Sequence, residues 1–181
     1  MSFKRENLFF CLLFLYFALM DTLSPSQRHN NMAAIRSKDT KPELIVRRFL
    51  WGRGFRYRLN SPRLPGHPDL VLRKYRTCIF VNGCFWHGHE GCAAYRIPKT
   101  NTEFWTRKIE CNRQRDREEQ RRLATMGWHV VVVWECELKG ELRERTLESL
   151  AFTLNSIFLK DRSVGYPKME EEGGYDMVAE P

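Results

Sequence analysis

Two apolar runs, "TCIFV" at 77–81 and "WHVVVVW" at 128–134, put β-branched or aromatic residues on successive positions rather than on every second one. A strand that is apolar on both faces has to be covered on both, so each run belongs inside a layered domain, and the unbroken valines of the second predict a central strand. Between the runs lies a long charged stretch, Glu103 to Met126, with no strand alternation and with Gly127 as its stop, which predicts a helix. Thr40-Lys41-Pro42-Glu43 fits a capping box, so an earlier helix is expected to begin there and to end at "WGRG", Trp51 to Gly54. "FRYRL" (55–59) alternates as a strand, and "DLVL" (69–72) pairs antiparallel with "TCIFV" through a tight turn near Lys74-Tyr75. A last amphipathic helix is expected from about Glu141 to Phe158. The order predicts an α/β domain with a mixed sheet sandwiched by helices.

At 181 residues the chain suits one core-bearing domain, expected over 21–158. Residues 159–181 include "EEEGGYDMVAEP" and read as a disordered tail. Residues 1–20 carry an unbroken apolar run, Leu8 to Met20, of signal-core size and too short to span a bilayer. No small-x-small cleavage site follows, and the polar sequence after Met20 reads as an independent start, so residues 1–20 are read as a leader from a misassigned start codon. The protein is then cytoplasmic and its thiols are reduced, which favours metal or structural roles for cysteine over disulfides.

The charge of +8 is uneven: residues 1–140 hold 25 Lys/Arg against 13 Asp/Glu, net +12, and residues 141–181 hold 5 against 9, net −4. A basic body of this kind points to a polyanionic partner.

Directly after the first buried run comes "VNGCFWHGHEGC", Val81 to Cys92. Cys84, His89 and Cys92 are spaced C-x4-H-x2-C, and Cys136 stands at the end of the "VVVVWEC" strand. If those two strands are neighbours, all four residues meet at one sheet edge as a Cys₃His set for a structural zinc. Spacing alone leaves open whether His87 or His89 is the nitrogen ligand. Phe85 and Trp86 cannot both easily point inward from so polar a loop.

"LPGHPDLVL", "IFVNGCFWHGHEGC", "IPKTNTEFWTRKIECNRQRDR" and "GWHVVVVWECEL" occur in order and together resemble the very short patch repair (Vsr) DNA mismatch endonuclease family, over about Ser24 to Leu138. The resemblance implies a zinc-containing, restriction-endonuclease-like fold and nicking of one strand at a T:G mismatch left by deamination of 5-methylcytosine. It makes Asp69 the main Mg²⁺ ligand, with the Val81 carbonyl as the second, and Glu43 a carboxylate near that metal. His87 becomes the general base or water-orienting group, with His89 on zinc. The family's best-known motif has a histidine where this chain has Asn82, which leaves Asn82 to orient water or phosphate. Phe85, Trp86 and Trp105 match aromatics that wedge into the duplex, with Lys99, Arg107, Lys108, Arg113 and Arg115 offering phosphate contacts. Implied as well are a monomer with no membrane association, located at the nucleoid, and mismatch-repair proteins as partners. The competing readings are a restriction endonuclease that cuts both strands and a zinc-stabilised DNA-binding module without chemistry.

Overall fold

The computed structural model describes residues 38–163 together with residues 24, 26, 27 and 30. The leader at 1–20 and the chain after Ser163 lie outside the described residues. In chain order the elements are α1 (Lys41–Gly52), β1 (Arg58–Leu59), β2 (Leu70–Leu72), β3 (Thr77–Asn82), α2 (Thr102–Thr125), β4 (His129–Trp134) and α3 (Leu142–Ser163). The sheet order is β1-β2-β3-β4. The first two pairings are antiparallel, and β3 pairs parallel with β4, in register from Thr77↔His129 to Asn82↔Trp134.

Alternation along the strands feeds two cores. Leu70, Leu72, Ile79 and Val133 face Val46 and Leu50 of α1 and Leu147, Leu150 and Leu154 of α3. Val71 and Cys78 face Leu123 of α2 on the other side, with Phe80, Trp128 and Val130 packed against them. Each fully buried aliphatic side chain contributes about 1.5–3 kcal/mol, so the two layers of helix hold the sheet from both faces. The expected mixed sheet between helices is therefore the observed architecture.

The second buried run is not a central strand. Among the described residues β4 lies at the sheet edge, hydrogen-bonded to β3 alone. Its valines are continuous because helices cover both of its faces, with Val130 packed toward α2 and Val131 and Val133 toward α1 and α3. Facial burial and ladder position are separate properties, and the sequence reports only the first.

The strand expected over 55–59 shrinks to Arg58–Leu59. Phe55 instead returns its amide to the Leu50 carbonyl at 3.0 Å and buries its ring, and the Tyr57 hydroxyl donates to the Arg47 carbonyl at 3.0 Å. The segment closes α1 before it can pair. The turn between β2 and β3 is a single 3₁₀ turn, Arg73–Tyr75, and α3 runs past the expected end at Phe158 to Ser163. α2 stops as expected: Gly127 takes φ 76°, and Trp128 N–H donates to the Leu123 carbonyl at 3.0 Å.

Candidate functional site

β3 and β4 run parallel and end together at Asn82 and Trp134, so the loop after one and the 3₁₀ turn Glu135–Leu138 after the other leave the same edge of the sheet. The loop folds on itself through His89 N–H to Cys84 C=O (2.9 Å), Cys92 N–H to His89 C=O (3.3 Å) and His87 N–H to Gly83 C=O (3.2 Å). Two contacts seat it on α2. Asn112 Nδ2 donates to the Trp86 carbonyl at 2.9 Å, and Gly88, at φ 61°, packs so closely that a Cβ there would lie 2.7 Å from Ile109 Cγ2 and 2.8 Å from Arg113 Cδ.

The fold gathers Cys84, His89, Cys92 and Cys136, with their ligand atoms all within 4.8 Å of one another. His89 Nδ1 faces two sulfurs, 3.6 Å from Cys84 Sγ and 3.4 Å from Cys136 Sγ, and its ring stacks on Trp134 at 4.0 Å and 2°. A tetrahedral ion with metal–sulfur bonds of about 2.3 Å wants donor–donor separations of about 3.8 Å, so four N/S donors at this spacing fit a metal. Burial pushes the Cys84 thiol up and the Cys136 thiol to about 12, while the Ala94 amide beside Cys92 holds that thiol down. Bringing all three to thiolate in so small a space calls for a cation. Cys136 sits in the 3₁₀ turn rather than in the strand itself.

Asp69 stands just before β2, and its Oδ2 accepts the Val81 N–H of β3 at 2.7 Å. Burial raises its carboxyl to about 6; the Val81 hydrogen bond opposes this, and the Glu43 charge adds to it. Glu43 is 3% exposed and fully engaged. Its Oε1 accepts from the Thr40 hydroxyl at 2.8 Å and its Oε2 from Arg47 Nη2 at 2.7 Å, with the capping box complete.

His87 and Asn82 lie on the α2 side. His87 Nδ1 meets Asp116 Oδ2 at 2.5 Å, and a cleft lined by Asn82, His87, Arg115, Asp116 and Gln120 opens beside them. Asp69 does not line that cleft, yet His87 is near enough for its charge to act on Asp69. No motif in the sequence singles out Asp116. The signal was present: Trp105, Ile109, Asn112, Asp116 and Leu123 recur on one helical face, so Asp116 is an acid on the stripe that α2 turns inward.

Phe85, Trp86 and Trp105 form a half-buried triangle, with centroids at 5.2 Å (Phe85–Trp86), 5.3 Å (Phe85–Trp105) and 5.9 Å (Trp86–Trp105) and every pair edge-to-face. Phe104, 60% exposed, stacks edge-on against Trp105. Lys99, Arg107 and Lys108 are exposed nearby in sequence, Arg107 paired with Glu103 at 3.1 Å. Arg113 pairs with Glu90 and Glu110, and Arg115 lies 3.8 Å from Asp116. Among the described residues no helix is long and apolar enough to cross a membrane.

Comparison with known proteins places this arrangement. The family described as DNA mismatch endonuclease Vsr matches residues 20–93. The chain is similar to the type II nicking enzyme V.NmeAIP of Neisseria meningitidis, 50% identical over 129 residues that cover 70% of this chain and 91% of that protein. It is similar to the type II nicking enzyme V.XorIIP of Xanthomonas oryzae, 48% identical over 70% of this chain and 94% of that one. The DNA mismatch endonuclease Vsr of Escherichia coli is 43% identical over 67% of this chain and 78% of its own length.

Proposed function

The chain belongs to the family of the DNA mismatch endonuclease Vsr, and from that premise we propose that it nicks one strand of duplex DNA at T:G mismatches, the lesions left when 5-methylcytosine deaminates. The single observation that carries the chemistry is the pair of acid–base groups at the end of β3, Asp69 against the Val81 amide and His87 against Asp116.

Asp69 and the Val81 carbonyl would hold Mg²⁺, hard oxygen donors suited to a hard cation. Bound there, the ion would supply charge neutralisation at the scissile phosphate. His87 accepts the proton of the attacking water as the water oxygen bonds to phosphorus and the P–O bond to the leaving deoxyribose oxygen breaks, that oxygen taking its proton from solvent water. Asp116 fixes the ring by taking its Nδ1 side, which leaves Nε2 for the water. Asn82, 6% exposed and lining the same cleft, orients water or a phosphate oxygen there. Glu43 acts through Asp69, since both of its oxygens are already engaged and its charge adds to the burial that raises the Asp69 carboxyl.

Cys84, His89, Cys92 and Cys136 would hold Zn²⁺, which cross-links the loop to the turn after β4. A loop pinned in this way presents Phe85, Trp86 and Trp105 as a preformed aromatic wedge. Unstacking costs least at a mismatch, so a wedge converts weak pairing into selectivity. Lys99, Arg107 and Lys108 then take up flanking phosphates, whose contacts position the protein without reading sequence. The protein works as a monomer on nucleoid DNA in the cytoplasm, alongside mismatch-repair proteins.

The test is cleavage of matched oligonucleotide duplexes with and without one T:G pair, at varied Mg²⁺. Nicking of one strand in the heteroduplex alone is expected. Double-strand cleavage of the homoduplex makes the protein a restriction enzyme, and binding without cleavage at any Mg²⁺ concentration makes it a binding module.

A further inference from the structure

The end of the sheet remote from the proposed chemistry carries a cationic patch of its own. Arg73 and Lys74 lie in the turn between β2 and β3, Arg76 follows at φ 44°, and Arg162 comes from the last turn of α3. All four are exposed, and none has an acidic partner among the described residues. The nearest acid in sequence, Asp161, turns to His129 at 3.3 Å. Phe158 binds the patch together: Lys74 Nζ lies 5.0 Å and Arg162 Cζ 4.5 Å from its ring centroid, and the ring packs on Tyr75 at 5.3 Å. At about 3.3 Å of rise per residue, the turn before Thr77 is about 16 Å from Asn82 along β3, at the opposite end from Asp69 and the Cys/His loop.

The patch is also where α3 ends. Ser163 is the residue after Arg162, and residues 164–181 beyond it hold one lysine, Lys168, against five acids, Glu170, Glu171, Glu172, Asp176 and Glu180. An acidic run tethered at the patch has an effective concentration far above that of any untethered competitor. The seven residues after Ser163, through Glu170, span up to about 25 Å when extended, ample to fold back onto Lys74.

We infer that the acidic segment Glu170–Glu172 of this chain docks on the Arg73, Lys74, Arg76 and Arg162 patch and occupies it against nucleic acid. The consequence is a division of the basic body: the rear cations are neutralised internally, and duplex DNA is left to the face that bears the aromatic triangle. Sequence-independent affinity comes from counterion release, so four cations on the wrong face would hold DNA away from the site.

Carbodiimide coupling in the full-length protein without DNA, followed by peptide mass spectrometry, tests the contact itself independently of any nuclease reading. Linkage of Lys74 to the peptide holding Glu170–Glu172 is expected; a product set lacking Lys74 overturns the inference. Its consequence is read by homoduplex binding across a KCl series. The triple variant E170Q/E171Q/E172Q is expected to bind several-fold tighter, with a log–log salt slope steeper by on the order of one to three, about 0.9 per freed cation. Adding Arg73→Gln and Arg162→Gln to the triple variant is expected to remove most of that gain. A gain that survives those changes places the segment on another face. If Arg73→Gln and Arg162→Gln weaken DNA binding equally with the acids intact, the patch is a DNA surface and the inference fails.

Discussion

The Asp69 carboxylate accepts the Val81 amide hydrogen at 2.7 Å, tying the residue just before β2 to the penultimate residue of β3. One hydrogen bond thereby fixes the acid against the strand that carries Asn82 and feeds the Cys/His loop. Its burial beside Glu43 costs charge stability, which raises the carboxyl to about 6.

That raised carboxyl gives a pH dependence with a definite sign. The folded state holds the Asp69 proton more tightly than the unfolded chain, whose carboxyl titrates near 3.8. Stability from this group is therefore full below about 4, declines as pH rises toward about 6, and is level above that. Asp69→Asn keeps an acceptor for Val81 and is expected to flatten this limb in thermal melts from pH 4 to 7. In wild type, nicking at limiting Mg²⁺ is expected to fall about tenfold per pH unit below about 6 as proton and metal compete. Asp69→Asn is expected to bind T:G duplex nearly normally and to nick it at no Mg²⁺ concentration; wild-type nicking by this variant sinks the mechanism.

His87→Ala and Asp116→Asn are expected to retain zinc and fold while single-turnover nicking drops by about 10²–10⁴-fold, the range for a positioned acid–base group. Zinc content separates the two histidines, since His89→Ala is expected to lose metal and His87→Ala to keep it. Zinc loss in His87→Ala reverses the assignment.

Cys136→Ala removes the one metal-cluster member outside the loop. Site formation and folding are linked, so the variant is expected to lose zinc, melt earlier and aggregate. A well-folded Cys136→Ala protein with stoichiometric zinc would refute the four-ligand set.

Trp86→Ala leaves Asp69 and the cysteines untouched but removes a ring from the triangle. Discrimination between T:G and fully paired duplex is expected to fall by about 1–3 kcal/mol, the scale of one base–aromatic stack, with zinc content unchanged. Competition binding reads this directly, and an unchanged ratio of affinities takes Trp86 out of recognition.

Gly88→Ala tests the seat of the loop on α2. A Cβ there collides with Ile109 and Arg113 at a left-handed φ, and overpacking of this kind costs about 1–3 kcal/mol. A lower Tm with impaired nicking is expected. Wild-type stability would mean that the loop is not held by this contact.

What the sequence by itself determined was local or periodic. The capping box at Thr40 and Glu43, the stop at Gly127 and the two-faced apolar runs are each set by chemistry within a few residues, and each appears where the pattern placed it. The C-x4-H-x2-C spacing likewise marked three members of the Cys/His group that could hold a metal, because a short loop brings them together whatever the rest of the chain does. Tertiary structure decided what depends on neighbours far along the chain. Four consecutive valines report burial on two faces, yet only the pairing order makes β4 an edge strand, because helices can cover faces without a strand covering the edge. Cys136 joins Cys84, and Asp69 meets Val81, only because β3 lies between β2 and β4 in this register. Asp116 reads in sequence as one charge among many on α2, and it becomes the partner of His87 only because Gly88 and Asn112 seat the loop against that face of the helix.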